Sequence, residues 1–425
     1  MTAATNPETG RTAVTDAGGD VTIHLTRAAL PRIAGLDMWA RIALGHLSNI
    51  AAGRYRIVLP DGRTIVAEGA EPGPEGTILI RDPRLWRRVV LGGDIGLAEA
   101  YIDGWWDSPD LAAVIEVGAR NMAAFGMKFA GSPLHKAMRR VGHLLRPNSR
   151  TGSRKNIMAH YDLGNSFYQA WLDDTMTYSS ALFRAGDEPL PQAQRNKYAA
   201  IAEAMNLTPG QKVLEIGAGW GGFAEFAAGE VGAHVTGITI SPSQYDFAKK
   251  RIFEKGLAEK VEIRLQDYRE VEGRFDRIAS IEMFEAVGER YWPQFFGKVR
   301  DCLAPGGHAA LQIITIREEF YDSYRSGADF IQRYIFPGGM LPSPTALKEE
   351  VAKAGLAWRG AVEFGQDYAR TLGLWHRQFL EAWPSLTSQG FDDRFRRLWQ
   401  YYLCYCEGGF RAGNIDVAQI SLAKS

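Results

Sequence analysis

The sequence predicts an α/β fold: a doubly wound parallel sheet preceded by a smaller mixed α+β domain. Three observations carry that expectation. From Asn156 onward, short apolar, β-branched runs alternate with helix-like segments, the pattern of a parallel sheet covered on both faces. One of those runs opens directly into a glycine-rich turn, QKVLEIGAGWGG at residues 211–222. Before Arg120 the chain reads instead as short strands separated by Gly/Pro turns, and a basic stretch without acidic residues divides the two parts.

Taken in order, residues 1–20 are small, polar and rich in Gly and Thr, which predicts a disordered tail. They lack the charged start and apolar block of a signal peptide, and no window approaches the ~18 apolar residues that a membrane span needs. Strands are expected at Tyr55–Leu59, Thr64–Ala67 and Gly76–Ile80, with turns at Pro60–Gly62 and over Glu71–Gly76. Gly93–Asp107 (GDIGLAEAYIDGWWD) reads as a glycine turn, then an amphipathic helix ending near Gly104, with both tryptophans in a core. Between Gly131 and Lys155, Lys136, Arg139, Arg140 and Arg146 accompany Leu134, Met138, Val141 and Leu145 at helical spacing. That run is either a solvated connector, the commoner meaning, or a foot for an anionic lipid surface, worth about 1 kcal/mol per basic residue. The expected division is a tail over 1–20, an N-terminal domain over 21–132, a basic amphipathic helix and linker over 133–158, and the α/β domain over 159–425.

In that last domain, further strands are expected at His234–Ile240, Lys260–Leu265, Phe275–Ile281 and Gly307–Ile314, with a helix starting at Ser241-Pro242. Ligands of such sheets lie beyond the C-terminal strand ends. Two features at those ends disfavour a dinucleotide. The glycine spacing is acidic-x-Gly-x-Gly-x-Gly, through Glu215, Gly217, Gly219 and Gly221, and no carboxylate closes the second strand, where Thr239 stands with Gln244 just beyond. An acid before the turn suits the cationic amino-acid end of S-adenosylmethionine, although the turn by itself fits a structural role equally well.

Composition narrows the partners. Lys+Arg and Asp+Glu balance at 49 each, which argues against nucleic acid. The 11 Trp, 16 Tyr and 20 Phe fit either a large core or an apolar substrate cavity. Cys302, Cys404 and Cys406 form no disulfide framework and suit a reducing compartment, and Cys404-x-Cys406 has no second pair to make a zinc site.

Together the blocks resemble the cyclopropane-fatty-acyl-phospholipid synthase family, from Gly93 to the C-terminus. They include His160-Tyr-Asp-Leu-Gly-Asn165, Thr177-Tyr-Ser-Ser180, the glycine turn, Thr239-Ile-Ser241, Gln266-Asp-Tyr-Arg269, Met283-Phe-Glu-Ala-Val-Gly288, Arg333-Tyr-Ile-Phe-Pro-Gly-Gly339 and Phe364-Gly-Gln-Asp-Tyr368. The resemblance implies a class I methyltransferase sheet, Rossmann-like, with an α-helical cap for a lipid substrate. It also implies an S-adenosylmethionine-dependent enzyme acting on cis double bonds of unsaturated phospholipid acyl chains. Its place would be the cytoplasm, peripherally on the inner face of the cell membrane and touching an anionic surface, and its members often pair as homodimers. With that context the basic helix gains weight as a membrane foot.

Residue by residue, the resemblance assigns the cofactor to Tyr178, Ser179, Glu215, Gly217, Gly219, Gly221, Thr239, Gln244, Asp267 and Tyr268. It assigns the acyl tunnel and cation environment to Tyr161, Phe183, Tyr321, Tyr334 and Phe336. The family's base is a bicarbonate ion held by a cysteine, a glutamate, a histidine, a tyrosine and a backbone amide. Here Glu285, Tyr368 and the Ile314 amide match, but Ser180 replaces the cysteine, Gln312 the histidine, and Glu282 stands where glycine is usual. Ser180, Glu282, Glu285, Gln312 and Tyr368 are therefore the catalytic candidates, with Glu282 a possible replacement base. Three readings follow: ring formation on the double bond; methyl transfer without ring closure, giving methyl-branched or methylated polyunsaturated chains; and a lipid-binding paralogue without turnover.

Overall fold

The computed structural model describes residues 13–15, 21–125 and 163–424 and divides into two compact units, residues 1–136 and 137–425. The segment expected to form the basic helix and linker, with Lys136, Arg139, Arg140 and Arg146, lies outside the described residues, as does Tyr161.

The first unit holds β1 (Ala13–Thr15), β2 (Val21–His24), β3 (Ala52–Val58), β4 (Thr64–Glu68), β5 (Glu71–Ile80) and β6 (Trp106–Asp107) in one sheet ordered β1-β2-β4-β3-β5-β6. Helices α1 (Met38–Leu47), α2 (Arg84–Ile102), α3 (Leu111–Arg120) and α4 (Met122–Phe125) accompany it. Three expectations are corrected here. Part of the tail is a strand, because Ala13–Thr15 pairs antiparallel with Val21–Ile23. The Gly/Pro run over Glu71–Gly76 is not a turn but the first half of β5, paired in parallel with β3. Gly53 and Gly73 permit that pairing: a Cβ on Gly73 would lie 2.8 Å from the backbone of Gly53. Pro72 and Pro74 are tolerated because β6 covers only Leu79 and Ile80, leaving this half of β5 an edge. Finally, the helix begins before the expected glycine turn, at Arg84: α2 runs through Gly93, which kinks it at φ 62°. Trp106 is fully buried as expected, but Trp105 is half-exposed, with the Arg84 and Arg88 guanidinium groups over its ring. Asn121 ties the unit together: its Oδ1 accepts from the Ala51 and Ala52 amides, and its Nδ2 donates to Ala52 and Val117 carbonyls.

The second unit is built on seven strands, β7 (Lys212–Ile216), β8 (His234–Thr239), β9 (Val261–Leu265), β10 (Phe275–Ile281), β11 (Leu303–Ile316), β12 (Ala357–Glu363) and β13 (Ile415–Ala423). Their order is β12-β13-β11-β10-β7-β8-β9, parallel except that β13 runs antiparallel to both neighbours. The doubly wound sheet is thus as the sequence predicts, and its first four strands fall where expected. The fifth is longer, and β12 and β13 are not among the expected strands, although Gly355 and Gly413-Asn414 precede them.

The helices are α5 (Asn165–Gln169), α6 (Leu190–Ala204), α7 (Gly222–Phe226), α8 (Pro242–Glu254), α9 (Trp292–Cys302), α10 (Glu318–Arg325), α11 (Phe330–Tyr334), α12 (Pro344–Lys353), α13 (Gly365–Ser388) and α14 (Asp393–Arg411). Ser241 caps α8 by accepting from the Gln244 amide, with Pro242 in the first turn. One apolar cluster around Leu214, Ile278, Phe295 and Leu311 and another around Val213, Phe223, Val235 and Ala310 pack the sheet. The long pair α13–α14 and α5 enclose an aromatic assembly in which Phe167, Tyr168, Trp171, Phe379 and Trp399 meet ring to ring. Among the described residues no helix is long and apolar enough to cross a membrane.

Candidate active site

The turn after β7 places Gly217, Gly219 and Gly221 at φ 88°, 53° and 84°. A Cβ on Gly219 would meet nothing within 4 Å, so this backbone faces open space that a ligand can enter. Glu215 lies beneath, 3% exposed; the Ala224 amide bonds one carboxylate oxygen, and Oε2 has no partner. Burial pushes this carboxyl up to about 8. An unpartnered buried acceptor beside a side-chain-free turn fits the cationic end of S-adenosylmethionine.

The other expected cofactor residues gather at the neighbouring strand ends. Thr239 Oγ1 donates to Gln244 Oε1 at 2.9 Å and accepts from the Ser241 amide. Asp267 is held by Arg269 through both carboxylate oxygens, and Tyr268 packs edge-on against Phe295. Tyr178 hydrogen-bonds Tyr402 hydroxyl to hydroxyl at 2.7 Å, with its ring against Trp171 and Trp375. The Ser179 hydroxyl accepts from Lys197 Nζ at 2.6 Å.

The structure brings the five catalytic candidates together around one carboxylate. Glu282 follows β10 at φ 49°, a left-handed conformation that a residue with a Cβ adopts at about 1 kcal/mol. Its Oε1 accepts from the Ser180 amide at 2.8 Å and Gln312 Nε2 at 2.7 Å, and its Oε2 accepts from the Tyr368 hydroxyl at 2.6 Å. Gln312 is oriented for this by Gln419, whose Nε2 donates to its Oε1 at 3.0 Å. Glu285 instead takes the Ile314 amide on Oε1 at 2.5 Å, and its Oε2 has no partner. The Ser180 hydroxyl turns away and donates to the Ala181 carbonyl. Glu282 and Glu285 are half-buried as residues, although Glu285 Oε2 is itself inaccessible.

Two carboxyls this close do not both ionise in a dry site. Burial and then the charge of Glu282 push Glu285 up to about 8, opposed only by the backbone amides of Ile314 and of Glu285 itself. Burial raises Glu282 too, but Tyr368, Lys197, Gln312 and the Ser180 amide all favour its charged form. The negative charge therefore sits on Glu282 and the proton on Glu285.

This arrangement does not fit bicarbonate. Of the donors that the resemblance assigns to that anion, the Tyr368 hydroxyl is already taken by Glu282 and the Ile314 amide by Glu285. Gln312, at the histidine position, also donates to Glu282. The Glu282 side chain fills the seat.

The expected substrate aromatics are less coherent. Phe336 approaches the site, its ring 6.4 Å from that of Tyr402. Phe183, Tyr321 and Tyr334 carry arginine guanidinium groups on their rings, from Arg370, Arg325 and Arg333 respectively. Sequence reasoning missed the rings that border Tyr178 and Tyr368: Trp375, Tyr402, and Phe410, which lies 4.5 Å from Tyr368. It also missed Lys197, fully buried on α6 along with Ala193, Gln194, Tyr198 and Ile201. A lysine in the apolar stripe of an amphipathic helix was the available signal. Cys404, expected to be no metal ligand, packs against His376 and Glu407 with ligand atoms within 4.8 Å of one another, and Glu407 is ion-paired with Arg411.

Comparison with known proteins bears on this geometry. The family model described as mycolic acid cyclopropane synthetase matches residues 148–420. A tuberculostearic acid methyltransferase of Mycobacterium tuberculosis is 38% identical over 388 residues, spanning 87% of each chain. A cyclopropane-fatty-acyl-phospholipid synthase of Escherichia coli is 34% identical over 394 residues, spanning 91% of this chain and 94% of its own. Among solved structures, a cyclopropane synthase from Mycobacterium tuberculosis superposes with a TM-score of 0.60 at 31% identity, over 64% of this chain and 98% of that one. A mycolic acid cyclopropane synthase complexed with SAH and CTAB does so with a TM-score of 0.61 at 29% identity, over the same shares.

Proposed function

The chain belongs to the mycolic acid cyclopropane synthetase family, and on that premise we propose that its reaction is completed by an internal base, Glu282, in place of bicarbonate. The enzyme is an S-adenosylmethionine-dependent lipid methyltransferase of the cyclopropane-fatty-acid synthase type. The cofactor supplies an electrophilic methyl group to a cis double bond, which leaves a cation on the acyl chain. Glu215 Oε2 offers the acceptor for the cofactor's cationic end, and the Gly219 backbone, which faces open space, admits it closely. The faces of Tyr178, Tyr368 and Trp375 give the cation a wall of π-density and exclude water that would otherwise trap it as an alcohol. Glu282 then accepts the proton that the cation must lose. One lone pair on Oε2 is left for this once Tyr368 is bonded.

The observation carrying the proposal is the Glu282 carboxylate itself, held by three donors from three segments despite a left-handed backbone. Replacing it with Gln keeps the shape and removes the base. We expect Glu282→Gln to lower product formation by about 10²-fold or more while S-adenosylmethionine affinity stays within about 3-fold. Wild-type turnover in that variant would end the proposal.

Ring closure results when the lost proton comes from the transferred methyl group, and a methylated alkene results when it comes from the chain. The closed bicarbonate seat, together with a relative named as a methyltransferase rather than a synthase, favours the second product. High-field cyclopropyl resonances in the lipid product would assign the first. The proposal extends to phospholipid-borne chains, to peripheral association with the inner face of the cell membrane through Lys136, Arg139, Arg140 and Arg146, and to a homodimer. Changing Arg139, Arg140 and Arg146 to Glu should abolish sedimentation with anionic vesicles and leave cofactor affinity intact; analytical ultracentrifugation tests the dimer.

A further inference from the structure

Lys197 is a buried ionisable group that the reaction above leaves unused. It is 0% exposed in the middle of α6, where a methionine would fill the same volume without the desolvation of an ammonium. Its Nζ donates to the Ser179 hydroxyl at 2.6 Å and lies 4.7 Å from the centre of the Tyr198 ring. Three carboxylates act on it from three other segments: Glu282 after β10, Asp173 after α5, and Glu215 at the end of β7. Its own carbonyl accepts from Gln419 Nε2, the amide that also orients Gln312 against Glu282. Lys197 is thus tied to the cofactor side of the site through Ser179 and to the base through charge and the Gln419–Gln312 relay.

We propose that Lys197 is a positioning residue for the reaction, a fixed internal cation that keeps Glu282 ionised and holds Ser179 in place. The inference rests on the assignment of Glu282 as the base. Around Glu282 stand the Tyr368 hydroxyl, the Gln312 amide, the Ser180 N–H, the carboxyl of Glu285 and the thiol of Cys406, and among the described residues Lys197 is the cation that acts on it. Burial draws the lysine well below its usual range and the carboxyl above its own, so each needs the other to stay charged. In turnover Glu282 gains and then releases the substrate proton, and Lys197, which burial draws down to about 7, holds its charge most strongly while Glu282 is ionised.

The test uses the full-length enzyme, unsaturated phospholipid vesicles and labelled S-adenosylmethionine, with kcat/KM measured across pH. Glu282 must be ionised to act, so activity rises with pH through its pKa. Without the cation that limb should move upward. In Lys197→Met we expect the acidic limb displaced by at least about one pH unit, with cofactor affinity reduced only a few-fold. A uniform loss at every pH, with the limb unmoved, would overturn the proposal and leave Lys197 a packing residue. If Lys197→Met folds poorly, thermal melts of the pair decide instead. Without Lys197 the buried Glu282 carboxylate has lost its cation, so removing that charge as well should make Glu282→Gln/Lys197→Met melt higher than Lys197→Met alone. A double variant no more stable than the single would overturn the proposal. Glu282→Gln by itself separates the two assignments: wild-type rates there would remove the base and with it the role of Lys197. A crippled Glu282→Gln beside an unmoved Lys197→Met limb would remove only the latter.

Discussion

Replacing Glu282 with Gly, the residue usual in the family at this position, should convert an enzyme with a built-in base into one that depends on bicarbonate. The substitution deletes the carboxylate and leaves the Ser180 amide, Gln312 Nε2 and the Tyr368 hydroxyl converging on an open seat. Hydrogen bonds to a charged acceptor are worth about 1.5–3 kcal/mol each, so three preorganised donors give a small anion a strong reason to bind. Glycine also relaxes the backbone at φ 49°, returning about 1 kcal/mol to the fold. In buffer freed of bicarbonate, loss of a general base should lower turnover by about 10²–10⁴-fold. Titrating bicarbonate should restore at least about tenfold, while the wild type, whose seat is filled, does not respond. Glu282→Gln supplies the control, since its amide still occupies the seat and excludes the rescuing ion. The assay is methyl incorporation into unsaturated phospholipid with and without added bicarbonate. A Glu282→Gly enzyme that retains the wild-type rate without bicarbonate would refute the reasoning, as would equal rescue of Glu282→Gln.

Three further outcomes follow from the same geometry. Changing Tyr368 to Phe removes the donor to Glu282 Oε2, so the acidic limb of the rate profile should move to higher pH and turnover at neutral pH should fall about tenfold. The carboxyls of Glu285 and Glu215 are raised from 4.5 to about 8 by burial, so the folded state binds more protons than the unfolded chain between those values. Their stabilising contribution is complete below 4.5 and is lost as pH rises through about 8, so the cofactor-free enzyme should melt lower at pH 8 than at pH 6, and Glu285→Gln should flatten that slope in thermal melts. In the first unit, Asn121→Ala strands the Ala51 and Ala52 amides and should destabilise that unit by about 2–4 kcal/mol in chemical denaturation.

How much of this was legible beforehand can be followed element by element. Alternating apolar runs located β7 to β10 because buried parallel strands and their covering helices leave strong local periodicities. The same reading took Glu71–Gly76 for a turn, since proline and glycine punctuate chains unless an edge position and a close backbone approach make them tolerable. That circumstance is tertiary. Strand β13 escaped because its pairing with β11 joins residues about a hundred positions apart.

The sequence by itself determined the family and the glycine turn that we propose seats the cofactor. Strand, acid, glycine turn and helix are contiguous, and their chemistry depends on local backbone shape. It also determined that the bicarbonate site had changed, because Ser180, Glu282 and Gln312 stand where other residues are usual. What replaced that site was decided only by the tertiary structure. Ser180, Glu282, Gln312 and Tyr368 belong to four separate segments, and hydrogen bonding and ionisation are set by what surrounds a group rather than by what precedes it. Which carboxyl bears the charge, and that a lysine lies buried beside it, are consequences of that convergence.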